Sequence, residues 1–525
     1  MQTDTPELMR DTGQLAESLA HVLGAAHVSR DPAELALAAA DLFPFPGGAS
    51  AELVVRPGST RDAAEAVRIA SQAGRCVLAR GAGLSYTGGT AASTPAVVVD
   101  TTRMDAITVH AQDLYAVVGA GTTWQALADA LAPHGLRTLL PGPISGAAST
   151  VGGAVSQGMP ASMDGVIGLA VILADGTLAH TGSGAREGAA PFLRHAGPDL
   201  TGLFIGDCGA FGVKAEVVLR LVPQRDAAFA SFAYADASLM IADMVRLQRE
   251  GLVTRAMAMD QGHGGEAGRM EAGEALKVAG AVAASAGSAL AAVRDVASML
   301  KGRQDLAAAP WSLHLTAEGA SQAIADAQVA LARAVCAPHA REIEPTVPRA
   351  LRARPFSIRG FVGVQGERWV PVHGMLAPSR ALGAFADIEA LFARHRSALD
   401  AAGVRTTCLL SSVGAFVTME PMFFWMDELD PLHHRHLSAR NQERFANRPV
   451  NATARELVMR LRAELRELFE RHDAVHAQLG RFYRHAQRLD PGSRELLARI
   501  KQALDATGQL NPGVLGLEAR TGNLG

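Results

Sequence analysis

Arg80-Gly81-Ala82-Gly83-Leu84-Ser85-Tyr86-Thr87-Gly88-Gly89-Thr90, RGAGLSYTGGT, is the stretch on which the fold turns. Cys76-Val77-Leu78-Ala79 precedes it, and Ala96-Val97-Val98-Val99-Asp100 follows after a short polar run. Both flanks are strand-like, so the loop joins two strands rather than opening a helix. Two familiar phosphate motifs are thereby excluded. The dinucleotide fingerprint needs glycine where Tyr86 stands, and the P-loop needs lysine where Gly89 stands. Gly81, Gly83, Gly88 and Gly89 permit positive φ and let consecutive backbone N–H groups point into one concavity. Such a nest suits a pyrophosphate, with Arg80 available as a permanent counter-charge. A plain glycine-rich turn is the competing reading.

The chain is long enough, at 525 residues, to require at least two domains. Hydrophobic residues make up 48% and charged residues 19%, the balance of a globular protein rather than a disordered one. A formal net charge of −3, with no dense Lys/Arg run, argues against nucleic acid as a partner. Cys76, Cys208, Cys336 and Cys408 lack metal spacing, which fits reduced thiols. The N-terminal stretch carries acids where a signal peptide has basic residues, and no apolar run approaches a membrane span. A cytoplasmic protein without a transmembrane segment is expected, with peripheral attachment at the inner membrane left open.

Four zones emerge along the chain. Residues 1–50 read as a helical lead-in, with Leu15, Leu19, Val22 and Leu23 at helical spacing and a breaker run from Phe43 to Gly48. In residues 51–225 strands and helices alternate. Ser59-Thr60 caps one helix, Thr122-Thr123 caps another, Pro141 to Gly158 is a second glycine-rich loop, and Asp175-Gly176 turns a hairpin. Residues 226–460 carry strand-like runs at Trp311–Thr316, Phe356–Val364 and Arg368–His373 with helices between them, which suggests a largely antiparallel sheet. Gly262 to Gly273 reads as a mobile loop. Residues 461–525 are strongly helical and close on LNPGVLGL, Leu510–Leu517.

Three motifs laid side by side carry a resemblance. RGAGLSYTGGT at 80–90, STVGGAVSQG at 149–158 and DLTGLFIGDCGAFGVKAEVVLRLVP at 199–223 resemble, in order and spacing, the signatures of the vanillyl-alcohol oxidase and p-cresol methylhydroxylase family of flavoproteins. The resemblance implies an α+β fold: a two-subdomain PCMH-type FAD-binding domain plus a substrate (cap) domain with a largely antiparallel sheet flanked by helices. It also implies FAD as cofactor. On that footing Arg80, Gly81, Ala82, Gly83, Leu84, Ser85, Gly88 and Gly89 hold the pyrophosphate. The second loop, with Pro141, Gly142, Ser149, Thr150, Gly152, Gly153, Ser156 and Gly158, passes along the flavin. Val166 and Ile167 offer main-chain groups to the cofactor, and Asn511 takes the place of a residue near the flavin. Some members link FAD covalently through a His in an R-G-G-H loop; Leu84 stands in that place and excludes this linkage. A bond from a His or Tyr of the substrate domain stays open, and dissociable FAD is the expectation.

On the substrate side, oxidation of an alcohol by a flavin needs a C–H bond aimed at N5, a base for the hydroxyl proton and a group that fixes the rest of the molecule. His373 is a candidate base or metal ligand, with a structural histidine as the alternative. Glu420 lies in an apolar segment, where burial raises its pKa unless a cation pairs with it. His433, His434 and His436 form the densest histidine group. A transition metal is the minority reading for them, and a solvated turn after Asp430-Pro431 the commoner one. Tyr483-Arg484 resembles the pair with which 4-alkylphenol oxidases hold a phenolate, and would equally grip a carboxylate. Arg359, Arg435 and Asp164 complete the candidates. The metal-binding run of the family's D-2-hydroxy-acid dehydrogenases is missing: Gly374-Met375-Leu376 follows His373, and Pro421 follows Glu420. The expected function is an FAD-dependent oxidoreductase that passes a hydride from a small hydroxylated substrate to flavin N5, first a D-lactate-like 2-hydroxy acid. A 4-substituted phenol or benzylic alcohol oxidase, and a catalytically degraded flavin-binding protein, are the alternatives. Expected partners are the substrate, an electron acceptor (oxygen, a quinone, a cytochrome or an electron-transfer flavoprotein) and a second copy in a homo-oligomer.

Overall fold

The computed structural model describes residues 12–43, 50–139, 141–159, 163–263, 280, 302, 304–356, 362–363 and 365–517. The chain divides into two compact units. Unit 1 comprises residues 1–223, 430–436 and 477–525, and unit 2 comprises 224–429 and 437–476. The units meet at Pro223/Gln224 and at His476/Ala477. Ala452–Arg471 is a single 20-residue helix with the buried stripe Leu457, Leu461, Leu465 and Leu468. Cutting such a helix would expose that stripe.

Unit 1 holds two sheets. In the first, strands β1 (Val28–Ser29), β2 (Ala51–Val55), β3 (Cys76–Arg80) and β4 (Ala96–Asp100) lie in the order β1-β2-β4-β3, with β2, β4 and β3 parallel. All five residues of β4 are buried, as an unbroken β-branched run demands in a sheet covered on both faces. The helix Thr60–Gln72 makes the β2-to-β3 crossover and starts where the Ser59 hydroxyl accepts the N–H of Asp62. Its Ala63, Ala66, Val67 and Ala70 pack with Leu53, Val55, Val97 and Val99, and Leu15, Leu19 and Leu23 of the helix Thr12–Leu23 close the same core.

The second sheet is antiparallel, with β5 (Ile107–His110), β6 (Tyr115–Gly119), β10 (Val213–Pro223), β8 (Val166–Ile172) and β9 (Leu178–His180) in that spatial order, and β7 (Leu136–Thr138) pairs with β10. The hairpin at Asp175-Gly176 forms as the sequence indicates, with Gly176 at φ 85°. Ser149–Gly158 departs from the expected loop. Val151–Gln157 is a helix, because the Thr150 hydroxyl accepts the Gly153 N–H at 3.2 Å and left-handed Gly158 ends it.

Unit 2 is built on one antiparallel sheet. Its order is β14 (Arg341–Ile343), β11 (Asp226–Tyr234), β13 (Trp311–Gly319), β12 (Arg255–Asp260), β17 (Val404–Val413), β18 (Phe416–Trp425), then β15 (Arg368–Pro371), with β16 (Gly374–Leu376) also on β18. One face is covered by helices. Tyr234 bonds Asp243 of the helix Ala237–Arg249, while Trp311 and Phe423 meet Phe385 and Phe392 of the helix Pro378–Arg394. Of the expected strand Phe356–Val364 and mobile loop Gly262–Gly273, residues 357–361, 364 and 264–273 lie outside the described residues, as does Arg359.

Candidate functional site

The glycine loop leaves β3 at Arg80, and its backbone divides into two parts. Among the described residues, the N–H groups of Gly81, Ala82, Gly83, Leu84 and Ser85 have no acceptor. Five consecutive donors left open, with Gly83 left-handed at φ 72°, make a ready anion cradle. The second part is tied down. Gly88, at φ 79°, gives its N–H to Asp41 at 2.9 Å, and the Thr87 carbonyl accepts from Arg481 and Phe482. Gly81 and Gly89 do not take positive φ; they are small for another reason. A Cβ on Gly81 would overlap the Thr150 hydroxyl, and one on Gly89 would come 2.6 Å from the Gln157 amide, so the loop rests on the Thr150–Gln157 segment.

Arg80 corrects its expected role. The side chain is 4% exposed, and its Nη1 donates to the carbonyls of Ala38 at 3.0 Å, Ala40 at 2.6 Å and Thr90 at 3.3 Å. Burial lowers its pKa to about 10, leaving it charged at neutral pH, and Asp41 and Asp100 are the nearby counter-charges. Its Nη1 braces the loop from within, while Nη2 is buried against Gly83 without a partner among the described residues, beneath the open donors.

The Gly152 and Gly153 pair also serves packing. A Cβ on Gly152 would lie 2.5 Å from that of Ala120, so this glycine admits the end of β6 rather than a ring. Ser149 takes a hydrogen bond from Ser145 at 3.1 Å, the Ser156 carbonyl accepts from Cys208 N at 2.8 Å, and Gly142 lies against Trp124. Pro141 follows Leu140, which lies outside the described residues. Val166 and Ile167 are buried in β8 and extend past the part of that strand paired by β9.

Asn511 joins three segments of unit 1. Its Nδ2 donates to Gly89 O at 2.9 Å and Cys208 O at 2.6 Å, its N–H bonds Val77 O, and its Oδ1 accepts from Arg481 at 2.8 Å. Arg481, which the sequence reading passed over, also reaches the carbonyls of Gly88, Ala91 and Pro512. Two residues on, Tyr483 is 2% exposed whereas Arg484 is exposed, so neighbours read as a pair differ in burial.

The histidine group is not a solvated turn. Pro431–His436 is a short helix belonging to unit 1, with His433 1% exposed and 3.8 Å from Asp430. His436 lies near the Ala82 backbone of the glycine loop, and burial, then Arg435 and Arg80, bring its pKa down to about 4. His434 is half-buried and Arg435 exposed. Among the described residues no three metal-competent side chains converge.

In unit 2, Pro371 opposes Met422 and Gly374 opposes Met419, with Val372 N donating to Pro421 O at 2.9 Å. His373 lies in the break between β15 and β16, where the charged neighbours acting on it are His476 and Arg462, while Glu420 pairs with Leu409 on the face away from the helices. Burial alone pushes the Glu420 carboxyl up to about 7. Burial, then His476 and Arg462, hold His373 down to about 3, so it is neutral at physiological pH. The same face carries a chain unnoticed in the sequence: Ser231 Oγ lies 2.8 Å from His314 Nδ1, whose Nε2 lies 3.0 Å from Ser312 Oγ. The alternation Ser312-x-His314 inside an otherwise apolar strand was its only signal. Asp164 is exposed.

Residues 51–182 match the model of the FAD binding domain family, and this part of the chain is an FAD-binding domain. A D-lactate dehydrogenase of Archaeoglobus fulgidus is 28% identical over 187 residues, which cover 34% of this chain and 40% of that protein. The chain therefore aligns with less than half of that relative. Likeness in fold is broader. The 4-ethylphenol oxidase of Gulosibacter chungangensis, in an isoeugenol complex, superposes with a TM-score of 0.71 at 16% identity over 98% of this chain and 99% of that one. Substrate-bound p-cresol methylhydroxylase gives 0.71 at 17% identity over 98% of both chains. The α+β, PCMH-type architecture is thereby shown. The open donors from Gly81 to Ser85 fit a pyrophosphate, so the residues present suit FAD.

Proposed function

We propose that this protein is an FAD-dependent oxidoreductase acting on a small hydroxylated substrate, with a 2-hydroxy acid of the D-lactate kind as the first candidate. The observation that carries it is the run of five open N–H donors in a domain of the FAD-binding family. Gly81 to Ser85 hold the pyrophosphate, the Thr150–Gln157 segment supports them, and the backbone of Val166 and Ile167 faces the rest of the cofactor. Bound FAD supplies the hydride acceptor.

Glu420 takes the hydroxyl proton. A carboxyl titrating at about 7 is matched to that task at neutral pH, whereas an imidazole titrating at about 3 is a poor base. His373 is then the neutral hydrogen-bonding neighbour that orients the substrate, a reassignment of the roles expected from sequence. Sequence likeness to a D-lactate dehydrogenase supports the hydroxy-acid reading.

Anaerobic mixing of the flavin-loaded protein with a substrate panel tests this. Bleaching of the flavin by D-lactate or glycolate supports the proposal, and bleaching by 4-alkylphenols alone replaces the substrate class. Bleaching by nothing in a broad panel leaves a flavin-binding protein without oxidoreductase activity.

A further inference from the structure

We propose that the N-terminal lead-in is a working wall of the cofactor site, and that Asp41 is the positioning residue that holds the glycine loop open for the pyrophosphate. The inference rests on the FAD reading above and extends the site beyond residues 51–182, the part that the family model matches.

Residues 38–43 are bolted to the loop at several points. Arg80 reaches the carbonyls of Ala38 and Ala40. Ala92 N donates to Ala39 O at 3.3 Å, and Leu42 N donates to Ser85 O at 2.8 Å. Asp41, 4% exposed, supplies the central link. Its Oδ2 accepts the Gly88 N–H at 2.9 Å and its Oδ1 accepts the Phe43 N–H at 3.2 Å.

Burying a carboxylate is costly, and an apolar side chain would fill the same space more cheaply. What an apolar side chain cannot do is accept from Gly88, a left-handed residue whose N–H would otherwise be a buried orphan. Ser85 is the pivot. Its carbonyl accepts from Leu42 of the lead-in and its hydroxyl meets Thr87 Oγ1 at 3.3 Å, while its own N–H stays open beside those of Gly81 to Leu84. The lead-in thus takes the Ser85 carbonyl and the N–H groups of Gly88 and Ala92, and leaves the donors from Gly81 to Ser85 open. Asp41 touches no part of the pyrophosphate in this account; it acts through Gly88, and through Phe43 it fixes the turn whose Leu42 holds Ser85.

The test uses the full-length protein freed of flavin, with FAD affinity from fluorescence quenching, visible circular dichroism of the flavin at saturation, and the melting temperature of the flavin-free chain. Tight binding by the wild type is the control on the FAD reading itself. If it fails, that reading fails, whatever Asp41 does. Asp41→Ala is expected to bind FAD about 10- to 100-fold more weakly, with an altered flavin dichroism at saturation. Asp41→Asn, whose one amide oxygen can serve Gly88 or Phe43 but not both, is expected to fall between. A merely structural role would lower the melting temperature and leave the saturated flavin spectrum alone. Should Asp41→Ala not fold, Asp41→Asn decides. Wild-type affinity and dichroism in the folded variants overturn the proposal.

Discussion

Glu420 and Leu409 pair across β18 and β17, and His373 lies in the short connection between β15 and β16, the two strands that pair with β18. The environment separates the titrations of Glu420 and His373: the carboxyl rises to about 7 and the imidazole falls to about 3. Glu420→Gln is therefore expected to slow flavin reduction by about 10²- to 10⁴-fold with FAD retained. The wild-type rate should rise with pH through about 7, and that dependence should vanish in the variant. His373→Ala should also slow reduction while keeping the wild-type pH dependence. Stopped-flow reduction across pH checks both, and unchanged rates in Glu420→Gln would remove it from the chemistry.

The same carboxyl makes a stability prediction of definite sign. Its folded pKa of about 7 lies above the ordinary value of 4.5, so the folded state holds the proton more tightly than the unfolded one. Its contribution is complete below about 4.5, declines as pH rises towards 7, and is absent above. Glu420→Gln removes an ionisation that opposes folding. The variant should melt like the wild type near pH 4.5 and higher than it at pH 8, by the equivalent of about 1–2 kcal/mol after allowance for partial solvent access. A more stable but slower protein is the signature of a group kept for function.

The glycine loop and its flanking strands were legible because local chemistry dictates them: an apolar β-branched run, glycines and a second strand leave few alternatives. The cap at Thr123 and the hairpin at Gly176 were equally local. What escaped depends on partners distant in sequence. Arg80 read as a free cation because nothing near it in the chain announces the carbonyls of Ala38 and Ala40. Gly152 read as a place for a ring, and is small because Ala120 lies against it. The pairing of Glu420 with Leu409 is a register, and register is set by the whole sheet. His436 was read with its histidine neighbours, whereas the groups that act on it include Arg80 and the Ala82 backbone of the glycine loop.

Asn511 is expected to be intolerant of a change as small as one atom. Its Nδ2 donates to two carbonyls, those of Gly89 and Cys208, and only an amide offers that pair of donors together with an acceptor for Arg481. Asn511→Ala should cost about 2–4 kcal/mol, since two buried carbonyls lose their donor. Asn511→Asp should be at least as damaging, because its oxygen would face the carbonyl oxygens. Differential scanning fluorimetry and FAD titration on both variants are the check, and a wild-type melting temperature in Asn511→Asp would contradict this account.

Lys214 and Asp207 form a buried ion pair, with side chains 2% and 0% exposed, beneath the turn that presents Cys208 to Asn511. Asp207 also accepts the N–H groups of Gly209 at 3.0 Å and Phe211 at 3.2 Å, so the carboxylate shapes the turn whether or not the lysine is present. Removing only the cation leaves that carboxylate buried without its counter-charge. Lys214→Met is therefore expected to cost about 3–5 kcal/mol. Asp207→Asn keeps one oxygen for the turn but strands the ammonium, which retains the Gly212 carbonyl at 3.2 Å, and should also destabilise. The double variant strands no charge and should lose less than the two single losses added together, by at least about 1 kcal/mol. Melting temperatures of the four proteins at one pH measure that coupling. Additive losses would mean that each residue acts through its own backbone contacts, and that the charge pairing contributes nothing to holding the Cys208 turn.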